Sequence, residues 1–434
     1  MRRAFERLAR LVGQDVRATA SSGERRPMQP KTSREDWVTP DHVPASLIVD
    51  FDFYNPPGVD EDLHRAWRTL RSGPDIVWSP HNGGHWIATR GRDIAAMMAD
   101  PQHFSNVQVN VPREAQRSIP LGLDPPDHGP FRKLLMPAFL PKAVNLLEEG
   151  VRRVAVERIE AIAPRGACEF MSDFARVLPV VVFLDIVKLP QEDREMLQRE
   201  AEPIFRSKAA EPRARAHAAL RDYLAKFMDA RAASPGEDLL SQVATAEIDG
   251  RPITRDEAMG VAMLLLAGGL DTVASLLGFS AHFLALNPGH RRQLIERPDL
   301  MPNAVEELIR RFGIANNVRT VVEDYDYNGV FLKKGDVIQT PSLMAGLDED
   351  FTPNPLEVDF TRPLTEIRHA AFGAGPHTCP GAVLARREIR IFLETWLARM
   401  PDFRLKPGTR PAMVSGMTNG VRELWLSWDV AASS

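Results

Sequence analysis

Residues 372–381 read FGAGPHTCPG, a loop that packs three glycines and two prolines around one of the chain's two cysteines. Directly after the cysteine runs PGAVLARREIRIFLETWLARM, a long amphipathic helical pattern with Pro380 in its first turn. Gly373, Gly375 and Gly381 strip side chains from the loop, so its backbone can approach something large and flat. Cys379 at a helix N-terminus faces unpaired backbone N–H groups and the positive end of the dipole, both of which favour a thiolate. A metal cofactor fits this arrangement. A redox or nucleophilic cysteine fits the same electrostatics, with His377 as the one nearby base.

The 434 residues carry a net charge of -4, which argues against a nucleic-acid partner. Two cysteines cannot build a disulfide framework, and a cytoplasmic location follows as the expectation. Cys168, in PRGACEF, has no ligand pattern around it and reads as a plain thiol. The most apolar stretches, VLPVVVFLDIV and AMGVAMLLLAGGL, fall short of the roughly 18 residues of a membrane span. The start, MRRAFERLARLVGQDVRA, is basic and amphipathic, an extension or a surface-associating helix. A polar stretch follows it, so residues 1–40 are expected to be a flexible extension and 41–434 a single, monomeric catalytic domain.

Helical periodicity dominates that domain, in VDEDLHRAWRTLRS, AVNLLEEGVRRVAVERIEAIA, PRARAHAALRDYLAKFMDARAA and MPNAVEELIRRFG. Another helix is expected to start near Thr254, where Asp256 and Glu257 suit a first turn. Strands are short and few: IVWSP, HWIAT, RELWLSW, and a hairpin in DYDYNGVFLKKGDVIQTP that turns at Asn328-Gly329. The predicted class is mainly α with minor β.

The whole loop resembles the cytochrome P450 haem signature Phe-x-x-Gly-x-x-x-Cys-x-Gly, filled by Phe372, Gly375, Cys379 and Gly381. Three further landmarks occur in the family's order. EELIR supplies Glu307 and Arg310 one helical turn apart, and Arg362 in DFTRP matches the Arg that completes that pair. LLLAGGLDTVAS resembles the central helix that crosses the haem face, and DPPDHGPFRKLLMPAF the helix with haem propionate contacts. NGGHWIATRG, PREA, DGRPITRDEA, GVFLKKGD and LARREI read like the bacterial camphor hydroxylase group.

That resemblance implies a triangular, helix-rich prism holding haem b between the central long helix and the Cys-loop helix. It implies a monooxygenase that uses O2 and two electrons to place one oxygen atom in a C–H bond. Cys379 matches the axial thiolate, which pushes electron density onto the iron. Gly268 and Gly269 would widen a helical groove at a cost of roughly 1 kcal/mol each relative to Ala. Asp271 would relay protons and Thr272 would hydrogen-bond oxygen or a water, with Arg206 matching the partner of that Asp. Arg132, Arg319 and His377 match propionate contacts, joined by His128. Asn317 departs from the camphor enzyme, which has an Asp there.

The expected pocket lining is Asn110, Leu121, Phe205, Leu264, Ala267, Ala315, Val318, Met417 and Thr418, apolar with two polar points. The Tyr that binds the camphor ketone in that relative is absent from PREAQRSIPLGLDPP. An ionone-like norisoprenoid is therefore expected over camphor- or cineole-type monoterpenoids. No reductase motif is present, so electrons are expected from a [2Fe-2S] ferredoxin with an NADH-dependent reductase. Arg132, Lys133 and Arg386 are the expected docking cations, and Gly129 stands where the camphor enzyme has an Arg. Competing readings are a non-turnover haem sensor, a peroxide-driven haem enzyme and a cysteine hydrolase.

Overall fold

The structure, a computed structural model, describes residues 37–113 and 118–430. The basic N-terminal pattern, most of the linker and residues 114–117 of the PREAQRS stretch lie outside the described residues. Residues from Val38 onward cluster as one compact unit.

The architecture is mainly helical with small sheets. In chain order the helices are α1 (Val59–Arg68), α2 (Gly91–Ala99), α3 (His128–Phe139), α4 (Pro141–Ile162), α5 (Val177–Val187), α6 (Arg194–Arg206) and α7 (Ala210–Ala233). They continue as α8 (Leu239–Ala244), α9 (Arg255–Leu270), α10 (Thr272–Leu286), α11 (Pro288–Glu296), α12 (Met301–Arg311), α13 (Ser342–Gly346) and α14 (Ala382–Arg399). The expected start near Thr254 is a full capping box: Glu257 N donates to Thr254 Oγ1, and Thr254 N donates to Glu257 Oε2. Apolar on nearly every face, α5 is buried within a cluster that also takes Phe131, Leu135, Leu197, Leu220, Leu265 and Leu266.

The central helix is not one rod. Asp271, at φ -130° and ψ -36°, separates α9 from α10. The span Arg255–Leu286 is long and apolar enough for a membrane crossing by length and composition, and half of its most apolar window is buried inside the fold.

The main sheet runs in the order Ile76–Ser79, His85–Ala88, Val337–Pro341, Asn316–Val321, Phe104–Ser105. A parallel pair joins His85–Ala88 to Val337–Pro341. Arg319 lies opposite Ile338 and Asn317 opposite Thr340, so Asn317 and Arg319 share one face and Val318 points to the other. The expected hairpin pairs Tyr325–Tyr327 with Val330–Leu332, and Asn328 (φ 52°) and Gly329 (φ 84°) supply its left-handed turn. Sequence periodicity missed Asn316–Val321 as a strand.

Candidate active site

The Cys loop closes on itself through Cys379 N donating to Phe372 O at 2.8 Å. Gly375 is irreplaceable on geometry: its φ is 70°, and a Cβ there would sit 2.6 Å from Ala99 Cα. One correction concerns the helix start. α14 begins at Ala382 with Gly381 as its N-cap, so Pro380 precedes the first turn. A second concerns the thiol. Its depth in the molecule pushes the Cys379 pKa up, and this outweighs the downward pull of the Gly381 N–H, Arg132, Arg386 and the Ala382 N–H. The side chain is nonetheless open to its surroundings, whereas Cys168 is fully buried, with burial raising its pKa far above the ordinary thiol value.

Around the loop the fold gathers basic side chains, two arginines and two histidines. Arg132 on α3 donates to Thr378 O. The His128 and His377 rings lie 4.0 Å apart. Arg319 is buried, and among the described residues it makes one hydrogen bond, from Nη1 to Val318 O at 2.8 Å. Burial brings its pKa down to about 10, with Asp124 the sole acid opposing that shift. His377 is held at about 3, by burial first and then by His128, Arg319 and Arg132. Its Nε2 is buried without a partner among the described residues. Among the described residues no ion pair joins Arg132 or Arg319 to a carboxylate. Such uncompensated cations beside an open cysteine suit a large group bearing two carboxylates and a thiolate-binding metal, as haem does.

The α9–α10 junction faces open space at Gly268, where a Cβ would meet nothing within 4 Å. At Gly269 a Cβ would lie 2.3 Å from the Phe183 ring. The two glycines thus have different reasons, an open groove and close packing. Thr272 Oγ1 donates to Gly268 O at 2.9 Å. Arg206 grips Asp271 with two hydrogen bonds of 3.0 and 2.8 Å, as the sequence comparison anticipated. Burial raises the Asp271 pKa against the pull of Arg206 and Arg176. Ser275, unnoticed in the sequence, accepts from Arg206 Nη2 at 3.1 Å. A Cβ on Gly420 would overlap both groups, at 2.5 and 2.6 Å.

Glu307 and Arg310 are wholly buried and joined by two 2.8 Å bonds, with Arg362 Nε 3.4 Å from Glu307. Arg310 also donates to Gly346, Pro355 and Glu357 carbonyls. Arg386 is paired to Glu306 and lies over the Phe372 ring at 4.5 Å, while Lys133 is exposed.

Of the expected pocket residues, the structure draws Phe205, Met417, Ala315 and Thr418 together, with Asn316 between them. Met417 N donates to Phe205 O at 3.1 Å, Asn316 N donates to Met417 O at 2.9 Å, and Ala315 bridges Thr418. Leu264 and Ala267 are partly open and lie on the Gly268 side of α9. Val318 and Thr418 are buried, while Asn110 and Leu121 are partly open on the stretch before α3.

The comparisons agree on one family. A family profile described as Cytochrome P450 matches residues 191–421. The chain is 36% identical over 402 residues to "Probable cytochrome P450 127A1" of Sinorhizobium fredii, covering 90% of this chain and 96% of that protein. The crystal structure of cytochrome P450 CYP101C1 is 41% identical with a TM-score of 0.83, covering 90% of this chain and 100% of that one. The CYP101J2 structure is 39% identical with a TM-score of 0.83, covering 91% and 100%.

Proposed function

The chain belongs to the cytochrome P450 family, in the camphor hydroxylase group, and on that premise we propose that it hydroxylates a small lipophilic terpenoid or norisoprenoid, ionone-like in preference to camphor. It is a monooxygenase with the family's haem b and cysteine thiolate. The observation that carries the site reading is the buried Arg319 and half-buried Arg132, neither paired to a carboxylate among the described residues, on the side of the open cysteine loop. Cys379 would ligate the iron, with Phe372 and Gly381 shaping the loop around it. His128, Arg132, Arg319 and His377 would hold the two propionates, beside Asn317. When bound, haem supplies O2 activation and oxygen insertion into a C–H bond.

The chain's own residues then have three tasks. The Thr272 hydroxyl donates its hydrogen bond to Gly268 O, which leaves the oxygen lone pairs free to accept from a water or ligand in the groove. Asp271, raised by burial yet held by Arg206, can carry a proton from the surface side toward that groove. Phe205, Leu264, Ala267, Ala315 and Met417 present apolar surface that excludes water and orients the substrate by shape. Apolar contacts of this kind discriminate by only about 1–3 kcal/mol, so overlapping substrate ranges follow. Asp271 and Thr272 together favour an O2-consuming enzyme over a sensor or a peroxide-driven one.

Electrons would come from a [2Fe-2S] ferredoxin with an NADH-dependent reductase, docking in the cytoplasm near Lys133 and Arg132. Arg386 serves the loop through Glu306 and Phe372. The test is an optical titration of ferric protein with beta-ionone and with camphor. A large Soret shift toward high spin with beta-ionone and little with camphor is expected. A stronger response to camphor would overturn the substrate assignment.

A further inference from the structure

One carboxylate on α12 gathers two basic side chains beside the Cys loop. Arg386, in the second turn of α14, donates to Glu306 through both Nε and Nη2, the latter at 3.0 Å. His369 Nε2 lies 3.3 Å from Glu306 Oε2. Ala371 N donates to His369 Nδ1 at 3.2 Å, so the ring proton sits on Nε2 and points at the carboxylate. Burial pushes the Glu306 carboxyl up, yet the bonds from His369 and Arg386 and the Arg386 charge hold it at about 2.

Both arms end on the loop. The Arg386 guanidinium lies 4.5 Å from the centre of the Phe372 ring, and the His369 ring meets the same ring edge-on at 6.3 Å. Phe372 O in turn accepts from Cys379 N at 2.8 Å. The Arg386 charge also reaches the thiol, where it favours the ionised form. A forked pair on one side and a stacked ring on the other are contacts that suit a planar guanidinium and not an ammonium. They fix one positive charge beside the cysteine. A cation that only steers a partner needs no such fixing, because that attraction acts at long range.

We propose that Glu306 is a positioning residue for the axial cysteine: it pins Arg386 across Phe372, and the pinned charge raises the reduction potential of the iron that Cys379 would bind. The proposal rests on the haem reading of the Cys loop. Reduction adds one electron to the site, and a nearby positive charge stabilises the more negative state. Glu306 offsets part of that charge while holding it in place. The Arg386 side chain is 37% exposed, so solvent screens the effect to about three- to tenfold in the reduction equilibrium. That is roughly 30–60 mV at about 59 mV per tenfold for one electron.

The test is the reduction potential of the holoenzyme, titrated with dithionite through mediator dyes and with no protein partner present. Arg386→Gln should lower the potential by that amount, and Arg386→Lys, which keeps the charge, should restore most of it. Glu306→Gln should raise it, because the amide still accepts from Arg386 but no longer offsets its charge. A loop that is merely loosened would move Arg386→Gln and Glu306→Gln in the same direction, and a docking role for Arg386 would move neither. Either result overturns the proposal. If Glu306→Gln yields no holoenzyme, the two Arg386 variants decide: equal potentials in Arg386→Gln and wild type, or no recovery in Arg386→Lys, overturn it. The Soret band of the ferrous carbon monoxide complex separates thiolate from thiol ligation. A wild type without the thiolate form overturns the haem-thiolate reading instead, so the two failures are told apart.

Discussion

Gly268 and Gly269 are neighbours in one helix, yet alanine should act on them with opposite signs. In a helix interior Gly→Ala stabilises by about 1 kcal/mol through backbone entropy. At Gly268 nothing opposes that gain, because the new methyl meets no atom within 4 Å. At Gly269 the methyl would lie 2.3, 2.6 and 2.8 Å from three Phe183 ring atoms. The ring is 6% exposed within the α5 cluster, so it must move by about 1 Å into filled space to restore carbon–carbon contact. Overpacking of this kind costs about 1–3 kcal/mol, which leaves Gly269→Ala net destabilised by up to about 2 kcal/mol after the helical gain. Thermal unfolding of the haem-loaded proteins should place Gly268→Ala at or above wild type and Gly269→Ala below it. Activity should order them the other way: the Gly268 methyl enters the groove beside Thr272 and lowers product formed per electron consumed. Equal stabilities, or a Gly269→Ala protein more stable than Gly268→Ala, would refute the division of labour between the two glycines.

Other perturbations probe the rest of the site. Burial alone raises the Glu388 carboxyl to about 8, from an ordinary 4.5. The folded chain therefore holds a proton that the unfolded chain has released within that window, and stability falls as pH rises through it, at up to about 1.4 kcal/mol per pH unit. Melting temperatures between pH 5 and 8.5 should drop more steeply for wild type than for Glu388→Gln. Arg319→Gln should weaken haem retention by at least about tenfold, since a hydrogen bond to a charged group contributes about 1.5–3 kcal/mol. The same change should stabilise the haem-free protein, which loses an uncompensated buried charge; haem transfer to a scavenger and apoprotein melting read the two signs. Glu307→Gln leaves Arg310 charged and buried without its carboxylate, a loss of about 3–5 kcal/mol that should appear as poor folding and haem-free expression. Cys379→His should abolish monooxygenase turnover while haem binding persists, and retained turnover would count against the thiolate assignment.

The helices were legible because their apolar spacing is local. Thr254 with Glu257 announces a start, and Asn328-Gly329 announces a turn, through chemistry confined to three or four residues. The strand Asn316–Val321 was not legible. Both of its faces are covered, so Asn316 and Arg319 are buried alongside Val318 and Val321, and no alternation survives in the sequence. The same limit applies to partners. Ser275 and Glu306 become meaningful only through Arg206 and Arg386, which lie 69 and 80 positions away.

By itself the sequence determined the Cys loop, the order of its landmarks, the Glu307–Arg310 spacing and the Asp271-Thr272 pair, because each is a short pattern whose chemistry is carried by adjacent residues. Tertiary structure alone decided which glycine faces open space, that Arg386 belongs to Glu306, and that burial outweighs the helix end at Cys379. Those outcomes depend on depth and on neighbours brought in from distant parts of the chain, and desolvation has no signature in a linear string of residues.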